Sequence, residues 1–446
     1  MSGGTWSKQD KVRAGAYINF KSKNKETNLV NDRGTVGLPL VLPFGPEKKI
    51  IEIDNDTDLF ASLGLEKADE SVLMLKEALK KAQKVLLYRL NEGTKATKTV
   101  ESLTVSANWG GTKGNSIKVV IQTNVDEPSS FDVITYLGDT KFETQTVKTI
   151  NELAANEFVK FSGTGAPTLT AGFNLEGGTD GTATAKDYTD FLKQLELYNF
   201  HAVAIPFDDS STKLVVKEFI KRLREDEGKR VQAVLPNYKE ADYEGIISVK
   251  NGVVIENNIQ IDKVKATAYI AALTASASYS TSNTYKSYEG AIDVDTRYTD
   301  KEIKEIINDG EIVFVNTIVN NQPKIIIEQD INTFKTFTDD KDKSFKKNRV
   351  IRTLDGINNR IKARWEEAYI GNEDNTEDGR NLFKKDILKI LETLQSDGAI
   401  KSVAIDDIEV LEGESIESVV ANVAVQPVDA MEKLYMTVFI YSELQN

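Results

Sequence analysis

The apolar periodicity of this chain changes along its length, and that change limits the possible architecture more than any other feature. Between residues 181 and 235 two spacings alternate: Phe191 and Leu195 lie at helical spacing, and residues 202–205 form a short apolar run before the pattern repeats. This alternation predicts a parallel sheet flanked by helices. Residues 97–180 instead interleave Gly, Thr, Ser and Asn with short β-branched runs, which predicts a small inserted β-rich domain.

Both ends of the chain carry a strand-like pattern. Apolar residues from Val12 to Ile18 alternate with more polar neighbours, and both faces of residues 434–441 are largely apolar, as in a strand that is covered on both sides. We therefore predict an α/β and α+β multidomain fold. It has a central α/β core, an inserted β-rich domain, and extended N- and C-terminal β-strand arms.

A chain of 446 residues is too long for one hydrophobic core, which rarely exceeds about 250 to 300 residues. The predicted parts are an N-terminal arm (1–22), the first part of the core (23–96), the inserted domain (97–180), the α/β core (181–345), a C-terminal domain (346–431) and a C-terminal arm (432–446). Within them we expect a hairpin at 311–328 that turns at Asn320-Asn321, and helices at 263–275, 346–370 and 381–395.

Several kinds of chemistry are excluded by what the chain lacks. It has no Cys and one His, so thiolate metal sites, cysteine nucleophiles and multi-histidine metal sites cannot form. No phosphate-binding loop of the G-x-x-x-x-G-K-[ST] type is present. His201 lies between a predicted helix and a predicted strand, where we expect a structural role. We predict no catalytic residue, no metal site and no cofactor.

Two acidic segments superficially resemble calcium loops. In the first, which begins at Asp54, Leu59 replaces the required Gly and Leu65 the required Glu, so helix capping by Asp56 or Thr57 is the preferred interpretation. The second begins at Asp374 and places Lys385 at its twelfth position, where the ammonium would repel the ion.

Charge also bears on partners. A net charge of −13 argues against nucleic acid as the main partner, and no apolar run is long enough to span a bilayer, so we expect no membrane insertion. Against this acidic background, residues 341–364 contain nine basic residues and two acidic ones. They form either a solvated helix face or a surface for an acidic partner.

Taken in order along nearly the whole chain, a series of short segments resembles the contractile tail sheath family of contractile phage tails and R-type bacteriocins. The segments are Ala14-Gly15-Ala16-Tyr17-Ile18-Asn19-Phe20, Arg33-Gly34-Thr35-Val36-Gly37, Pro43-Phe44-Gly45-Pro46, Ala271-Ala272-Leu273-Thr274-Ala275 with Thr284-Tyr285, Asn332-Thr333-Phe334, Tyr369-Ile370-Gly371-Asn372, and the run from Pro427 to Met436. Residues 97–180 match least well, as the family's variable outward domain would.

The resemblance implies a structural subunit and not an enzyme. Such subunits form hexameric rings stacked around an inner tube, and contraction drives the tube through a cell envelope. The implied partners are further copies of the chain, the inner tail tube protein, and baseplate and tail terminator proteins. The implied location is a phage tail or bacteriocin particle that is assembled in the bacterial cytoplasm.

The resemblance also implies terminal arms that add strands to neighbouring subunits. The candidate arm residues are Val12, Ala14, Ala16, Tyr17, Ile18, Phe20, Leu434, Tyr435, Met436, Val438 and Ile440. The candidate basic residues facing the tube are Lys346, Lys347, Arg349 and Arg352. Two alternatives remain open: an α/β ligand-binding protein or enzyme without a recognisable motif, and a sheath component of a secretion system.

Overall fold

The computed structural model describes residues 2–4, 15–17 and 33–440, with side chains for 33–440. The chain divides into two units, 1–32 and 33–446. In the first unit, residues 2–4 and 15–17 pair as parallel strands. Among the predicted arm residues, Ala16 and Tyr17 belong to this pair, whereas the remaining N-terminal ones lie outside the described residues: Val12, Ala14, Ile18 and Phe20.

The described residues contain the following strands and helices. The strands are β1 (Ser2–Gly4), β2 (Gly15–Tyr17), β3 (Thr35–Leu40), β4 (Ile50–Ile53), β5 (Lys84–Arg89), β6 (Lys95–Val100), β7 (Leu103–Gly110), β8 (Ile117–Thr123), β9 (Phe131–Leu137), β10 (Thr140–Val147), β11 (Val159–Gly163), β12 (Thr170–Asn174), β13 (Ala202–Ala204), β14 (Gln232–Pro236), β15 (Ile246–Val249), β16 (Val253–Ile255), β17 (Ile259–Ile261), β18 (Ala291–Val294), β19 (Glu311–Ile312), β20 (Phe314–Val319), β21 (Gln322–Ile327), β22 (Ile408–Glu412) and β23 (Val419–Val423). The α-helices are α1 (Leu59–Leu63), α2 (Leu73–Leu79), α3 (Ala185–Leu195), α4 (Ser210–Glu225), α5 (Lys263–Ser276), α6 (Asp300–Asn308), α7 (Asn348–Ala368) and α8 (Glu377–Ser396).

A seven-stranded sheet forms the α/β core, in the order β19-β15-β14-β13-β3-β5-β4. All of its pairs are parallel except β4 with β5. Helices α2 and α5 cover one face, and α3 and α4 cover the other. Side chains 266–275 of α5 are all buried, because small residues let this helix lie between the sheet and α2. The predicted parallel sheet with flanking helices is confirmed.

Residues 95–174 form two antiparallel sheets, β10-β9-β8-β12 and β11-β7-β6. Their inner faces meet in an apolar layer that is continuous with one side of the core. An aromatic cluster joins the two regions: the ring of Phe44 lies 5.3 Å from Trp109 and 6.2 Å from Phe158, centroid to centroid. The β-rich character predicted for this part of the chain is therefore observed.

The hairpin predicted near residue 320 is formed by β20 and β21. Asn320 and Asn321 both have positive φ, 52° and 60°, as a two-residue hairpin turn requires. The acidic segment near residue 54 is a turn: Asp58 caps α1 by accepting bonds from the amides of Phe60 and Ala61. The cap is therefore Asp58 and not the predicted Asp56 or Thr57.

Helices α7 and α8 and the hairpin β22-β23 make a C-terminal layer with its own apolar cluster. A buried ion pair fastens this layer to the core: Arg224 of α4 donates from Nη1 and Nη2 to Asp355 of α7, at 2.7 and 2.8 Å. Close by, Gly356 leaves room for the ring of Tyr279, since a Cβ there would lie 2.2 Å from a ring carbon. The packing of α7 on the core thus requires glycine at this position.

Candidate functional site

The two-stranded sheet β22-β23 is the part of the C-terminal layer that is least covered. Its inner face places Ile408, Val410 and Val423 against α7 and α8. On its outer face the cross-strand pair Leu411 and Val420 is exposed, at 45% and 47%. Among the described residues each of its two strands has one partner strand, so each presents an edge with unpaired main-chain groups.

The local sequence explains where this hairpin lies. Helix α8 buries an apolar stripe at helical spacing, Phe383, Ile387, Leu391 and Leu394, and the stripe forms the floor for the inner face of the hairpin. The turn between the strands is held by Asn375, whose Nδ2 donates to the carbonyls of residues 416 and 418, at 2.7 and 3.0 Å.

A groove runs between α7 and β23. It consists of two cavities of about 570 and 410 Å³ that share Trp365 and Phe383 in their walls. The larger cavity extends toward the hairpin turn at Ile416, and the smaller one ends beside Val423. A strand added to the free edge of β23 would project alternate side chains into this groove.

Negative charge follows the hairpin along its length and continues in the loop beside its turn. We use the name acidic rim for residues 373–380 and 406–417, which contain ten carboxylates and the single base Arg380. Asn375 and a 3.9 Å contact between Arg380 and Glu412 tie the two segments of the rim together. Nine of the ten carboxylate residues are exposed and Asp407 is half-buried. Most of the net negative charge of the chain is therefore concentrated at this surface.

The C-terminal segment is anchored before it leaves the subunit. Its backbone pairs with residues 399–401 as far as Val428. Glu432 then accepts a bond from Thr284 Oγ1 at 2.9 Å and forms an ion pair with Lys347. Beyond this anchor every described residue from 433 to 440 is exposed and none is in a strand.

The predicted C-terminal arm residues lie in that exposed segment: Leu434, Tyr435, Met436, Val438 and Ile440, each between 69% and 92% exposed. The strand predicted there is therefore not formed within the described part of the chain. Its apolar side chains lack a covering surface on their own subunit, although the sequence pattern is that of a buried strand.

Two of the four basic residues predicted to face a tube are buried, which corrects that prediction. The guanidinium of Arg352 is 1% exposed and donates to Asp330 Oδ2 at 3.0 Å and to the carbonyl of Thr281. Arg349 is 9% exposed, and its Nη2 donates to the carbonyl of Gly398 at 3.3 Å. Both side chains fasten α7 to its surroundings, so neither is available to a tube in this structure.

The other two are half-buried and already engaged. Lys346 donates to the carbonyl of Asn308 at 2.9 Å, and burial lowers the pKa of its ammonium. Lys347 is the partner of Glu432. Farther along the helices, Arg360, Arg364 and Lys389 line a groove of about 510 Å³ between α7 and α8, together with Glu367 and Asp386. Arg364 donates to Asp386 at 2.6 Å, whereas Lys389 is exposed.

His201 has the structural position expected of it. It lies just before β13, where its Nδ1 accepts a bond from the amide of Thr35 at 3.4 Å, and its own amide donates to the Thr35 carbonyl. Burial, with a smaller effect from Arg33, lowers the pKa of His201 to about 3. The imidazole is therefore neutral at physiological pH.

The described residues offer neither a metal-binding cluster nor a membrane-spanning helix. Within residues 33–440 no group of three Asp, Glu or His side chains is arranged to hold a metal ion. No helix in the described part of the chain is both long and apolar enough to cross a membrane.

Four family models match consecutive parts of the chain. They are the tail sheath protein Gp18 domain III N-terminal region (residues 33–90), the phage tail sheath protein beta-sandwich domain (91–180), the phage tail sheath protein central domain (181–333) and the phage tail sheath C-terminal domain (340–441). Together they span nearly all of the described residues.

Among curated proteins, the XkdK protein of the phage-like element PBSX of Bacillus subtilis is 39% identical, over 98% of this chain and 99% of that protein. The tail sheath protein of Clostridium phage phiCD119 is 31% identical, over 44% of this chain and 52% of its own length.

Among solved structures, the sheath tail protein of Desulfitobacterium hafniense is 44% identical, with a TM-score of 0.85 over 95% of this chain and 99% of that one. The contracted helical sheath of the anti-feeding prophage is 11% identical, with a TM-score of 0.54 over 92% and 93%, and so shares the fold.

Proposed function

Because this chain belongs to the phage tail sheath protein family, whose members are structural subunits of contractile tails and not enzymes, we propose that its copies stack as hexameric rings around an inner tube and contract to drive that tube through a cell envelope. The observation that carries the proposal is the unfinished C-terminal layer, which combines a two-stranded sheet, an apolar groove at its edge and an exposed apolar segment beyond Glu432.

We propose that residues of about 10–20 and 432–443 add strands to the sheets of other subunits, and that the hairpin β22-β23 is the acceptor. Strand addition would satisfy the unpaired edge groups of the hairpin, and each hydrogen bond would contribute about 0.5 to 1.5 kcal/mol net. Alternate side chains of the added strand would fill the groove beside Trp365 and Phe383. Four to six such bonds per arm, about 2 to 9 kcal/mol, would hold rings together while subunits change their packing.

Deleting residues 1–20 tests this proposal. The truncated protein should remain folded, with a near-unchanged circular dichroism spectrum, because residues 33–446 make up a compact unit that the deletion does not enter. It should form no tubes in sedimentation or electron microscopy. Polymerisation of the truncated protein, or its unfolding, would contradict strand donation.

We also propose that the inner tube protein is contacted at the groove between α7 and α8, where Arg360 and Lys389 have no ion-pair partner in the described residues, in place of the four basic residues that the sequence suggested. Exposed ion pairs contribute only about 0 to 1 kcal/mol each, which suits a contact that must be released on contraction. The variant Arg360→Glu with Lys389→Glu should assemble poorly on tubes. As a matched control, Lys186→Glu with Lys301→Glu reverses two exposed ammonium groups elsewhere and should assemble normally.

The energy for contraction would have to be stored in subunit packing, since the sequence offers no nucleotide-binding loop. Two packings that differ by a few kcal/mol per subunit constitute a recognised switching mode. Assembled particles should therefore contract without added nucleotide, and an ATP requirement would reject this part of the proposal. Baseplate and tail terminator proteins are the further partners we propose for the ends of the polymer.

A further inference from the structure

The two arms differ in charge, and only one of them complements the acidic rim. Residues 1–25 contain six basic residues and one acidic residue: Lys8, Asp10, Lys11, Arg13, Lys21, Lys23 and Lys25. Residues 433–446 contain one of each, Lys433 and Glu443. The acidic rim has a net charge of −9, so it attracts the first segment (net +5) and is neutral toward the second.

We propose that the acidic rim selects the basic N-terminal segment of a second copy and steers it onto the hairpin, so that assembly is fastest at low salt. This inference rests on the proposed strand donation. It adds that charge sets the rate of assembly and determines which of the two arms binds the hairpin. Part of the rim adjoins the proposed acceptor, because Glu373, Asp374 and Glu417 line the cavity at the turn end of the groove together with the single base Arg380.

The size of the effect follows from screening. Complementary charged surfaces raise association rates by about 10-fold to 1000-fold, and the gain falls steeply with ionic strength. The Debye length shrinks from about 10 Å at 0.1 M salt to about 3 Å at 1 M. The rim carboxylates are exposed, so salt reaches them readily. Salt should therefore slow association while leaving the apolar contacts in the groove intact.

Neutralising part of the rim provides the direct test. In the full-length protein, Glu373→Gln, Glu412→Gln, Glu414→Gln and Glu417→Gln together remove four exposed charges. The initial assembly rate, followed by light scattering at about 50 mM salt, should fall about 10-fold, and its dependence on salt should flatten.

A matched control removes the same charge elsewhere. The changes Asp126→Asn, Asp139→Asn, Glu157→Gln and Glu305→Gln also neutralise four exposed carboxylates, three in the β-rich region and one on α6. Their assembly rate and salt dependence should match those of the unchanged protein. Equal slowing by both sets would mean that net charge, and not the rim, controls the rate, and would overturn the proposal.

A charge exchange makes the partner explicit. Lys8→Glu, Lys11→Glu and Arg13→Glu should slow assembly, as should Glu412→Lys, Glu414→Lys and Glu417→Lys. Combining all six changes in one chain should restore the assembly rate at least in part. The N-terminal segment is then more acidic and the rim more basic, so the two again attract each other between copies.

The outcomes separate this inference from the function it rests on. If deletion of residues 1–20 abolishes assembly but the rim variants assemble as fast as the control, strand donation stands and charge selection is wrong. Faster assembly of the neutralised rim would show that its carboxylates only keep free hairpin edges apart, a recognised role of edge charges, and would also overturn the proposal.

Discussion

The seven-stranded sheet of the core and the two-stranded sheet of the C-terminal layer are both built from short apolar strands. The core sheet has helices on both faces, and Leu38 in its centre is fully buried. The hairpin has helices on one face only, and Leu411 on the other is 45% exposed. The chain thus covers both faces of one sheet by itself and only one face of the other, which under the proposed strand donation a neighbouring copy completes. Mutations should therefore affect folding in the first sheet and assembly in the second.

The junction between the two layers should show the largest effect on stability. Asp355→Ala leaves the buried guanidinium of Arg224 without its carboxylate and should lower the free energy of unfolding by about 3 to 5 kcal/mol, measured by chemical denaturation. Glu366→Ala on the exposed side of α7 is the control, since its 3.7 Å contact with Lys362 should contribute at most about 1 kcal/mol. Similar losses for both variants would mean that the buried pair does not join the layers.

Substitutions of Leu38 in the core sheet and of Leu411 in the hairpin allow a direct comparison of the two sheets. Leu38→Ala should cost about 2 to 5 kcal/mol of unfolding free energy, because it opens a cavity in a packed interior. Leu411→Ala should change stability by less than about 0.5 kcal/mol, because the side chain is 45% exposed, and should slow polymerisation if a neighbouring copy covers this face as proposed. Denaturation and light scattering of both variants provide the measurements. A stability loss at Leu411 as large as that at Leu38 would contradict the comparison.

The core should also respond to acid through its single histidine. Burial lowers the pKa of His201 to about 3 in the folded state, whereas the ordinary value is 6.5, so the unfolded state binds a proton that the folded state excludes. Stability from this group is therefore full above pH 6.5 and is lost as pH falls toward 3, by about 1.4 kcal/mol per pH unit.

His201→Gln should remove the contribution of one proton, about 1.4 kcal/mol per pH unit, from the pH dependence of the unfolding free energy. Chemical denaturation at several pH values between 6 and 4 measures this dependence. Because no other histidine is present, the NMR titration of its ring is unambiguous and should show a neutral imidazole at pH 5. A protonated ring at that pH would disprove the buried, neutral state.

The most local effect should come from the anchor of the C-terminal segment. Glu432→Gln keeps the bond from Thr284 but loses the ion pair with Lys347. Because the two side chains are only 22% and 12% exposed, the loss should cost about 1 to 3 kcal/mol. Hydrogen exchange should rise in residues 426–432 while α5 keeps its protection. Lys433→Gln, one residue beyond the anchor, should leave exchange unchanged. Equal hydrogen exchange in the Glu432→Gln and Lys433→Gln variants would show that Glu432 does not anchor the segment.

Local patterns account for what the sequence predicted correctly. The alternation that begins at Phe191 becomes α3, β13, α4 and β14, and Asn320-Asn321 becomes a hairpin turn. Both depend on neighbours within about four residues, because helix and strand periods and turn conformations are local properties. The short segments that resemble tail sheath proteins are local too, and their order along the chain was enough to indicate the family.

The charged residues were harder to assign, for a physical reason. Sequence spacing marked Arg352 and Lys347 as surface cations, but tertiary packing pairs Arg352 with Asp330 and Lys347 with Glu432. A lysine or arginine faces solvent unless a partner distant in the sequence lies against it, and only the folded chain brings those partners together. Local sequence patterns therefore sufficed for most of the elements, their order and the family. Only the folded chain showed which charges are buried, where the last segment is anchored, and that the β22-β23 sheet has two strands among the described residues.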